Sequence, residues 1–177
     1  VADTLCAMEV TDALPAQPID PPTISMTVGV NDSPLAGREG DKVQSRVIRD
    51  RLLKEAESNV AIRVTESKDS DAYEVAGRGE LQLGVLIENM RREGFEVSIS
   101  RPRVVYQTGE NGERLEPIEE VVIDVDDEYS GIVIEKLSAR KAELKDMGPS
   151  GAGKTRINLH SPSRSLIGYQ GEVLTDT

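Results

Sequence analysis

The chain has 177 residues, of which 37% are hydrophobic and only 3% aromatic, and its formal net charge is −11. This length allows one ordinary domain or two small ones, with a core built from aliphatic side chains. No apolar run approaches the ~20 residues that span a bilayer, and no basic and apolar leader opens the sequence, so we expect a cytoplasmic protein without a membrane partner. A single cysteine and a single histidine exclude an internal disulfide and argue against a zinc site.

The charge is distributed unevenly along the chain. Residues 104–135 contain one base and ten acids, whereas residues 136–164 contain seven bases and two acids. Such a pattern can form a surface with two signs of charge, although two solvated faces are the simpler interpretation. The net acidity confines any contact with RNA to local basic patches such as residues 136–164.

Residues 21–102 follow a proline-rich linker and carry a regular series of apolar stripes. Period-two alternation predicts four strands, at residues 24–30, 62–65, 73–75 and 95–99. Helical spacing predicts one helix from Asp41 to about Glu57, with Asp41 and Gln44 forming a capping box, and a second helix that ends at Gly94. The order βαββαβ predicts a ferredoxin-like domain, in which both helices cover one face of an antiparallel sheet.

The pattern starts again in residues 103–177. Strands are predicted near residues 104–107, 121–125 and 157–159, a hairpin turn at Asn111-Gly112, and helices at 129–147 and 166–175. Gly148-Pro149 is the predicted end of the first of these helices. A second ferredoxin-like sheet would need one more strand, so the fold class is α+β with two ferredoxin-like domains in tandem, the second truncated. Because the sequence starts with Val1 and stops at Thr177 in mid-pattern, we expect a fragment.

Gly148–Thr155 reads GPSGAGKT and matches the phosphate-binding loop pattern. That loop works because a strand feeds it and a helix follows, whose free N–H groups hold the anion. Here a helix is predicted before the motif and an alternating strand after it. We therefore interpret the motif as a decoy, and we find no catalytic, metal or cofactor site elsewhere, since His160 has no identifiable nucleophile or acid partner.

Arginines offer a donor fork suited to phosphate oxygens, which makes Arg91, Arg92, Arg101, Arg103 and Arg164 candidate contacts. Spacing alone favours ordinary surface arginines. Arg78, between Gly77 and Gly79, could also contact an anion near a helix start, although a tight turn that packs strand on helix is the simpler explanation.

Several separated motifs closely resemble the BipA/TypA translational GTPases, and they occur in the right order. They are Asp3–Cys6, Pro22–Met26, Gly77–Leu83, Ile87–Glu96, Ser100–Pro102, Glu116-Pro117 and Pro162–Tyr169. The resemblance implies that residues 1–20 are the tail of a β-barrel domain and a linker. It implies that residues 21–102 are similar to domain III of elongation factor G, and residues 103–177 to its domain V.

The same resemblance implies a cytoplasmic factor, with a link to stress response, that docks on the ribosome at the elongation-factor site. GTP and Mg²⁺ would be held by an N-terminal domain outside this chain, so the chain itself would have no cofactor and would not hydrolyse GTP. Its partners would be rRNA and ribosomal proteins, and the isolated chain would be monomeric. The candidate contacts are Arg91, Arg92, Arg101, Arg103, Lys136, Arg140, Lys154, Arg156, Ser163, Arg164 and Tyr169. The alternatives are a regulatory module that binds a small molecule and an NTPase that uses GPSGAGKT.

Overall fold

The computed structural model describes residues 4–15, 19–67 and 71–176, which divide into two compact units. The first unit ends at Pro102 and the second begins at Arg103. Asp3 of the expected barrel tail and Pro18 of the expected linker lie outside the described residues.

The first unit contains four strands and two helices. Their bounds are β1 Ile24–Val30, α1 Ser45–Ser58, β2 Arg63–Glu66, β3 Ala72–Gly77, α2 Glu80–Arg92 and β4 Val97–Ile99. The strands are antiparallel and lie in the order β2-β3-β1-β4. This is the strand order of the ferredoxin-like fold, so the predicted architecture is confirmed.

One face of this sheet packs against both helices and forms the core. Val28 of β1, Leu52 of α1 and Leu83 and Met90 of α2 are fully buried. Every second residue of β1 turns toward the helices because side chains alternate across a strand. The predicted alternation therefore selected the correct residues for this core.

The predicted capping box is wrong, because α1 begins at Ser45 rather than next to Asp41. Gln44 is the N-cap residue and makes no side-chain capping bond. Lys42 instead pairs with the chain around Phe95, since its N–H donates to the carbonyl of Gly94 at 3.1 Å. Residues that resemble a helix start are thus used as an extended segment.

The second unit contains short β elements, one three-stranded sheet and three helices. Their bounds are β5 Arg103–Val104, β6 Gln107–Thr108, β7 Arg114–Leu115, β8 Ile118–Asp126, a 3-10 turn Asp127–Tyr129, α3 Ser130–Ala139, β9 Glu143–Gly151, β10 Lys154–Pro162, α4 Ser163–Leu166 and α5 Tyr169–Asp176. The sheet order is β8-β10-β9, all antiparallel. It matches the first three strands of a ferredoxin-like sheet, and a fourth strand beside β8 is absent from the described residues. Gly112, at φ 81°, turns the predicted β6–β7 hairpin.

The helix predicted at residues 129–147 is wrong, because α3 ends at Ala139 and residues 143–151 form β9. Leu144 and Met147 are three residues apart, which suggested a helical stripe. In the structure Leu144 pairs with Leu159 and Met147 with Ile157, because a bulge shifts the register between them. One extra residue in a strand gives a spacing of three on a single face, and Gly148-Pro149 lies within the strand.

Candidate nucleic-acid interface

The GPSGAGKT segment forms the end of the β9–β10 hairpin. Gly151, Ala152 and Gly153 have φ values of 88°, 54° and 73°, which turn the chain tightly from one strand into the next. A strand follows the motif as predicted, but a strand rather than a helix precedes it. The described residues give the motif no following helix, whose N–H groups would be needed to hold a phosphate.

The two side chains that would serve a nucleotide in such a loop are held by carboxylates here. The Nζ atom of Lys154 lies 3.5 Å from Oδ1 of Asp126, and the Thr155 hydroxyl donates to Oδ1 of Asp127 at 2.6 Å. In a phosphate-binding loop the lysine contacts phosphate and the hydroxyl contacts Mg²⁺. Two carboxylates at these positions repel a polyphosphate, so the geometry favours a structural hairpin.

In the first unit, the carboxylate of Glu88 pairs with two of the candidate arginines, Arg91 and Arg92. Glu88 accepts two hydrogen bonds from Arg91, at 2.8 and 3.0 Å, and one from Nε of Arg92 at 2.8 Å. These bonds lower the pKa of Glu88 to about 2. Arg92 uses only Nε in this contact and its side chain is 74% exposed. The NH2 groups of Arg92 therefore provide donors for an oxyanion.

Arg101 and Arg103 are both exposed at the boundary between the two sequence segments. Among the described residues, neither arginine forms a salt bridge. A phosphate that approached either guanidinium would therefore not have to displace a carboxylate. Both guanidinium groups are therefore exposed and, among the described residues, free of a salt bridge to a carboxylate.

In the second unit, acids of β8 neutralise bases of β10. Arg156 makes a two-bond contact with Asp124 at 2.9 and 2.8 Å, in the register that places these residues opposite each other. Arg156 thereby lowers the pKa of Asp124. Lys154 is paired with Asp126 in the same way. At these two positions an acid of β8 and a base of β10 lie side by side on the sheet, so these two bases do not form a basic patch.

Three further candidates are used inside the second unit. Ser163 is 2% exposed and bonds to the carbonyl of Pro117, and Tyr169 is 4% exposed within the core. Arg140 donates to the carbonyl of Ser165 at 3.0 Å and lies over the Tyr169 ring. Burial removes Ser163 and Tyr169 as direct RNA contacts, which corrects the expectation for both residues.

The two remaining candidates are intermediate cases. Arg164 is exposed, but its Nε donates to Glu116 at 2.5 Å. Lys136 is half-buried in α3 and already has an interaction within the fold. Both cations would have to leave existing contacts before they could bind a phosphate.

Sequence reasoning missed one exposed pair of a cation and an aromatic ring. The guanidinium of Arg114 lies 3.5 Å from the centroid of the Tyr106 ring, and Tyr106 is 42% exposed. The β6–β7 hairpin brings these residues together although they are eight positions apart. Exposed stacked rings of this kind can also hold a nucleobase. Only the Asn111-Gly112 turn signal could have suggested their proximity.

No helix within the described residues is long and apolar enough to cross a membrane. Across the same part of the chain, no three His, Cys, Asp or Glu side chains are grouped so that they could hold a metal ion.

Comparison with known proteins first defines a class for the second unit. Residues 113–177 match the family described as Elongation factor G C-terminus. Over all 177 residues, the chain is 50% identical to the Large ribosomal subunit assembly factor BipA of Salmonella typhimurium. The BipA proteins of Haemophilus influenzae and Synechocystis are 49% and 45% identical over the same length. The resemblance to the BipA/TypA translational GTPases is therefore confirmed along the full chain.

The match covers only part of these relatives. The chain spans 29% of the Salmonella and Haemophilus proteins and 30% of the Synechocystis protein. A solved structure of a Thermus thermophilus protein aligns with 88% of this chain, and the aligned part is 38% of that protein's chain. The TM-score is 0.49 and the sequence identity is 11%.

Proposed function

We propose that this chain is a ribosome-docking portion of a BipA-type translational GTPase and that it binds at the elongation-factor site. The proposal rests on one observation: the chain aligns with BipA along its full 177 residues, with 50% sequence identity. The relatives are named as assembly factors of the large ribosomal subunit. We infer that the large subunit or its precursors provide the docking surface.

The two units have separate assignments in this proposal. Residues 21–102 correspond to domain III of elongation factor G, which their ferredoxin-like strand order supports. Residues 103–177 correspond to domain V, which the match to the Elongation factor G C-terminus supports. GTP hydrolysis and Mg²⁺ binding belong to another domain of the parent protein in the cytoplasm, and the isolated chain is a monomer.

The proposed contacts are phosphate contacts of exposed arginines. Arg101 and Arg103 are the strongest members of the set because they make no salt bridge among the described residues, and Arg92 has spare donors beside Glu88. Lys154 and Arg156 contribute less, because a phosphate would have to compete with Asp126 and Asp124. The overall acidity makes this binding weak and dependent on a few cations.

Co-sedimentation with purified 50S, 30S and 70S particles tests the proposal. We expect the chain to pellet with 50S and 70S particles at low salt and to be released as salt rises, because phosphate contacts release counterions. Elongation factor G bound to a non-hydrolysable GTP analogue should displace it. A chain that pellets with none of the three particles at low salt is not a docking module.

A further inference from the structure

The hairpin stack, formed by Arg114 and Tyr106, is held in place by the β6–β7 backbone. Thr108 of β6 pairs with Arg114 of β7, and Tyr106 lies two residues before Thr108. Because side chains alternate across a strand, Tyr106 and Arg114 share one face as diagonal neighbours, a separation that long side chains bridge. The N–H of Gly112 closes the turn by donating to the carbonyl of Gly109 at 3.0 Å. The hairpin therefore assembles the ring and the guanidinium before any ligand arrives.

The hairpin stack leaves the polar groups of both side chains available. The guanidinium carbon of Arg114 lies 3.5 Å from the centroid of the Tyr106 ring, which is the contact distance of two flat groups lying face to face. The guanidinium N–H groups point outward in the guanidinium plane, so stacking does not use them. Within the described part of the chain, no hydrogen bond or salt bridge engages the Arg114 guanidinium or the Tyr106 hydroxyl. Since Arg114 is exposed, its outer face and its edge are open to a ligand.

The cations around the hairpin stack favour an anionic ligand. Arg103 is exposed and lies three residues before Tyr106. Helix α4, which carries Arg164, lies beside the strand of Arg103. Arg164 is compensated by Glu116, which accepts its Nε–H at 2.5 Å. Arg103 and Arg114 thus remain as two cations that no carboxylate of the described residues neutralises.

The acids of the hairpin belong to its turn. Glu113 precedes Arg114 in the chain, yet its carboxylate accepts the N–H of Asn111 at 2.9 Å and makes no salt bridge with Arg114. Glu110 is exposed at the tip of the turn. The acidity of this segment of the sequence is therefore not used to neutralise the stacked guanidinium.

We propose that the hairpin stack binds an unpaired nucleotide of an RNA strand, whose base lies on the outer face of the Arg114 guanidinium. The phosphate of that nucleotide accepts N–H bonds from the edge of Arg114 and from Arg103. Single-stranded RNA is bound in this way, by stacking of bases on flat side chains and by contacts to phosphate. A duplex buries the faces of its bases, so the site selects a loop or a strand. The choice of RNA rests on the proposed ribosome docking, whereas the stack and its charge do not.

An oligouridylate of about 12 nucleotides with one central 2-aminopurine is the probe. Uracils stack poorly, so 2-aminopurine fluoresces until its base stacks on the protein. We expect the whole chain to quench this fluorescence saturably at low salt. An unlabelled RNA duplex of the same length should compete more weakly than the unlabelled single strand.

Two substitutions at exposed positions test the hairpin stack itself. Arg114→Lys keeps the charge and removes the flat guanidinium, and Tyr106→Leu keeps an apolar side chain and removes the ring. Each should lower the affinity for the probe about tenfold, because a stacking contact is lost. Arg63→Lys is the matched control, since Arg63 is exposed and makes no salt bridge among the described residues. It should bind the probe like the unaltered chain.

Three results would overturn the assignment. They are equal affinities of Arg114→Lys and Arg63→Lys, equal competition by duplex and single strand, and displacement of the probe by an acidic tyrosine-rich peptide at lower concentration than by the unlabelled strand. The last result would indicate a protein partner.

Co-sedimentation with 50S particles separates this inference from the docking proposal. If the chain pellets with 50S particles and both stack variants bind the probe like the unaltered chain, the nucleotide site is refuted and docking stands. If the stack variants lose the probe and the unaltered chain pellets with no particle, docking is refuted and the nucleotide site stands.

Discussion

Gly94 and Lys141 occupy the same position at the ends of two helices. Both have positive φ, 86° for Gly94 and 74° for Lys141, and both follow the last helical turn. In each case the next residue donates back to the helix, from Phe95 to Met90 and from Ala142 to Leu137. The left-handed conformation is easy for glycine, but it costs an L-residue roughly 1–2 kcal/mol.

The first prediction follows from this pair. Lys141→Gly should raise the free energy of unfolding of the second unit by about 1 kcal/mol, because it relieves the left-handed conformation. Gly94→Ala should lower that of the first unit by about 1 kcal/mol or more, since the added Cβ would also lie 3.0 Å from Oδ1 of Asp41. Urea unfolding, monitored by NMR signals of each unit, measures both changes. Lys136→Gly, inside α3, is the control and should destabilise by about 1 kcal/mol.

The second prediction concerns Glu96, whose carboxylate organises the loop of residues 31–40. It accepts the N–H groups of Gly37, Glu39 and Gly40 at 3.0 to 3.2 Å and the side-chain amide of Asn31 at 2.6 Å. These bonds lower the pKa of Glu96. A lowered folded-state pKa means that this stabilisation is present above the unfolded value of about 4.3 and is lost as pH falls through the folded value.

Glu96→Gln should therefore speed hydrogen exchange of the Gly37 and Gly40 amides at neutral pH. In the unaltered chain the same amides should lose protection only at acidic pH. Glu57→Gln removes an equal charge from the exposed side of α1 and should leave both amides unchanged. If the two variants behaved alike, the Glu96 hydrogen bonds would not be what orders the loop.

The third prediction concerns Arg140, which links the end of α3 to the C-terminal helices. Its guanidinium donates to the carbonyls of Ser165 and Ile167 and to Glu172. Arg140→Ala should lower the free energy of unfolding of the second unit by about 2 kcal/mol, because hydrogen bonds to a charged group are lost and part-buried carbonyls are left unpaired. Arg156→Ala, which removes one exposed ion pair, should cost under about 1 kcal/mol. Similar costs in thermal unfolding would show that Arg140 has no special structural role.

The fourth prediction is that the hairpin at Gly148–Thr155 does not bind nucleotides. Asp126 and Asp127 already hold the lysine and the threonine of the motif, so millimolar GTP or ATP with Mg²⁺ should not shift the amide signals of Gly151–Thr155. Lys154→Ala should leave the spectrum in the presence of nucleotide equally unchanged. Saturable shifts that Lys154→Ala abolishes would establish the opposite.

The fifth prediction compares ribosome binding by arginines that form no salt bridge among the described residues with binding by an arginine that is paired to a carboxylate. Arg101→Gln and Arg103→Gln should each weaken binding to 50S particles and reduce the dependence of log affinity on log salt by about 1. Arg156→Gln should have a smaller effect, because Asp124 already neutralises Arg156. Fluorescence titration at several salt concentrations gives all three slopes. Unchanged slopes for Arg101 and Arg103 would place the docking contacts elsewhere.

The sequence by itself determined the repeated ferredoxin-like architecture and the identity of the first core. Apolar alternation along β1 and helical spacing along α2 are local patterns, and burial on one face produces them directly. The end of the second helix at Gly94 was also predictable, because glycine is the residue preferred in the left-handed conformation that ends many helices. The family resemblance could also be detected from the sequence, since it depends on residue identities alone.

Only the tertiary structure decided where α3 ends and which cations remain accessible. Lys141 carries no local signal for a left-handed residue, and the bulge in β9 gave Leu144 and Met147 a helical spacing. The pairing of Arg156 with Asp124 depends on strand register, which joins residues 32 positions apart. Contacts between distant segments form only when the chain folds, so neither composition nor periodicity can reveal them.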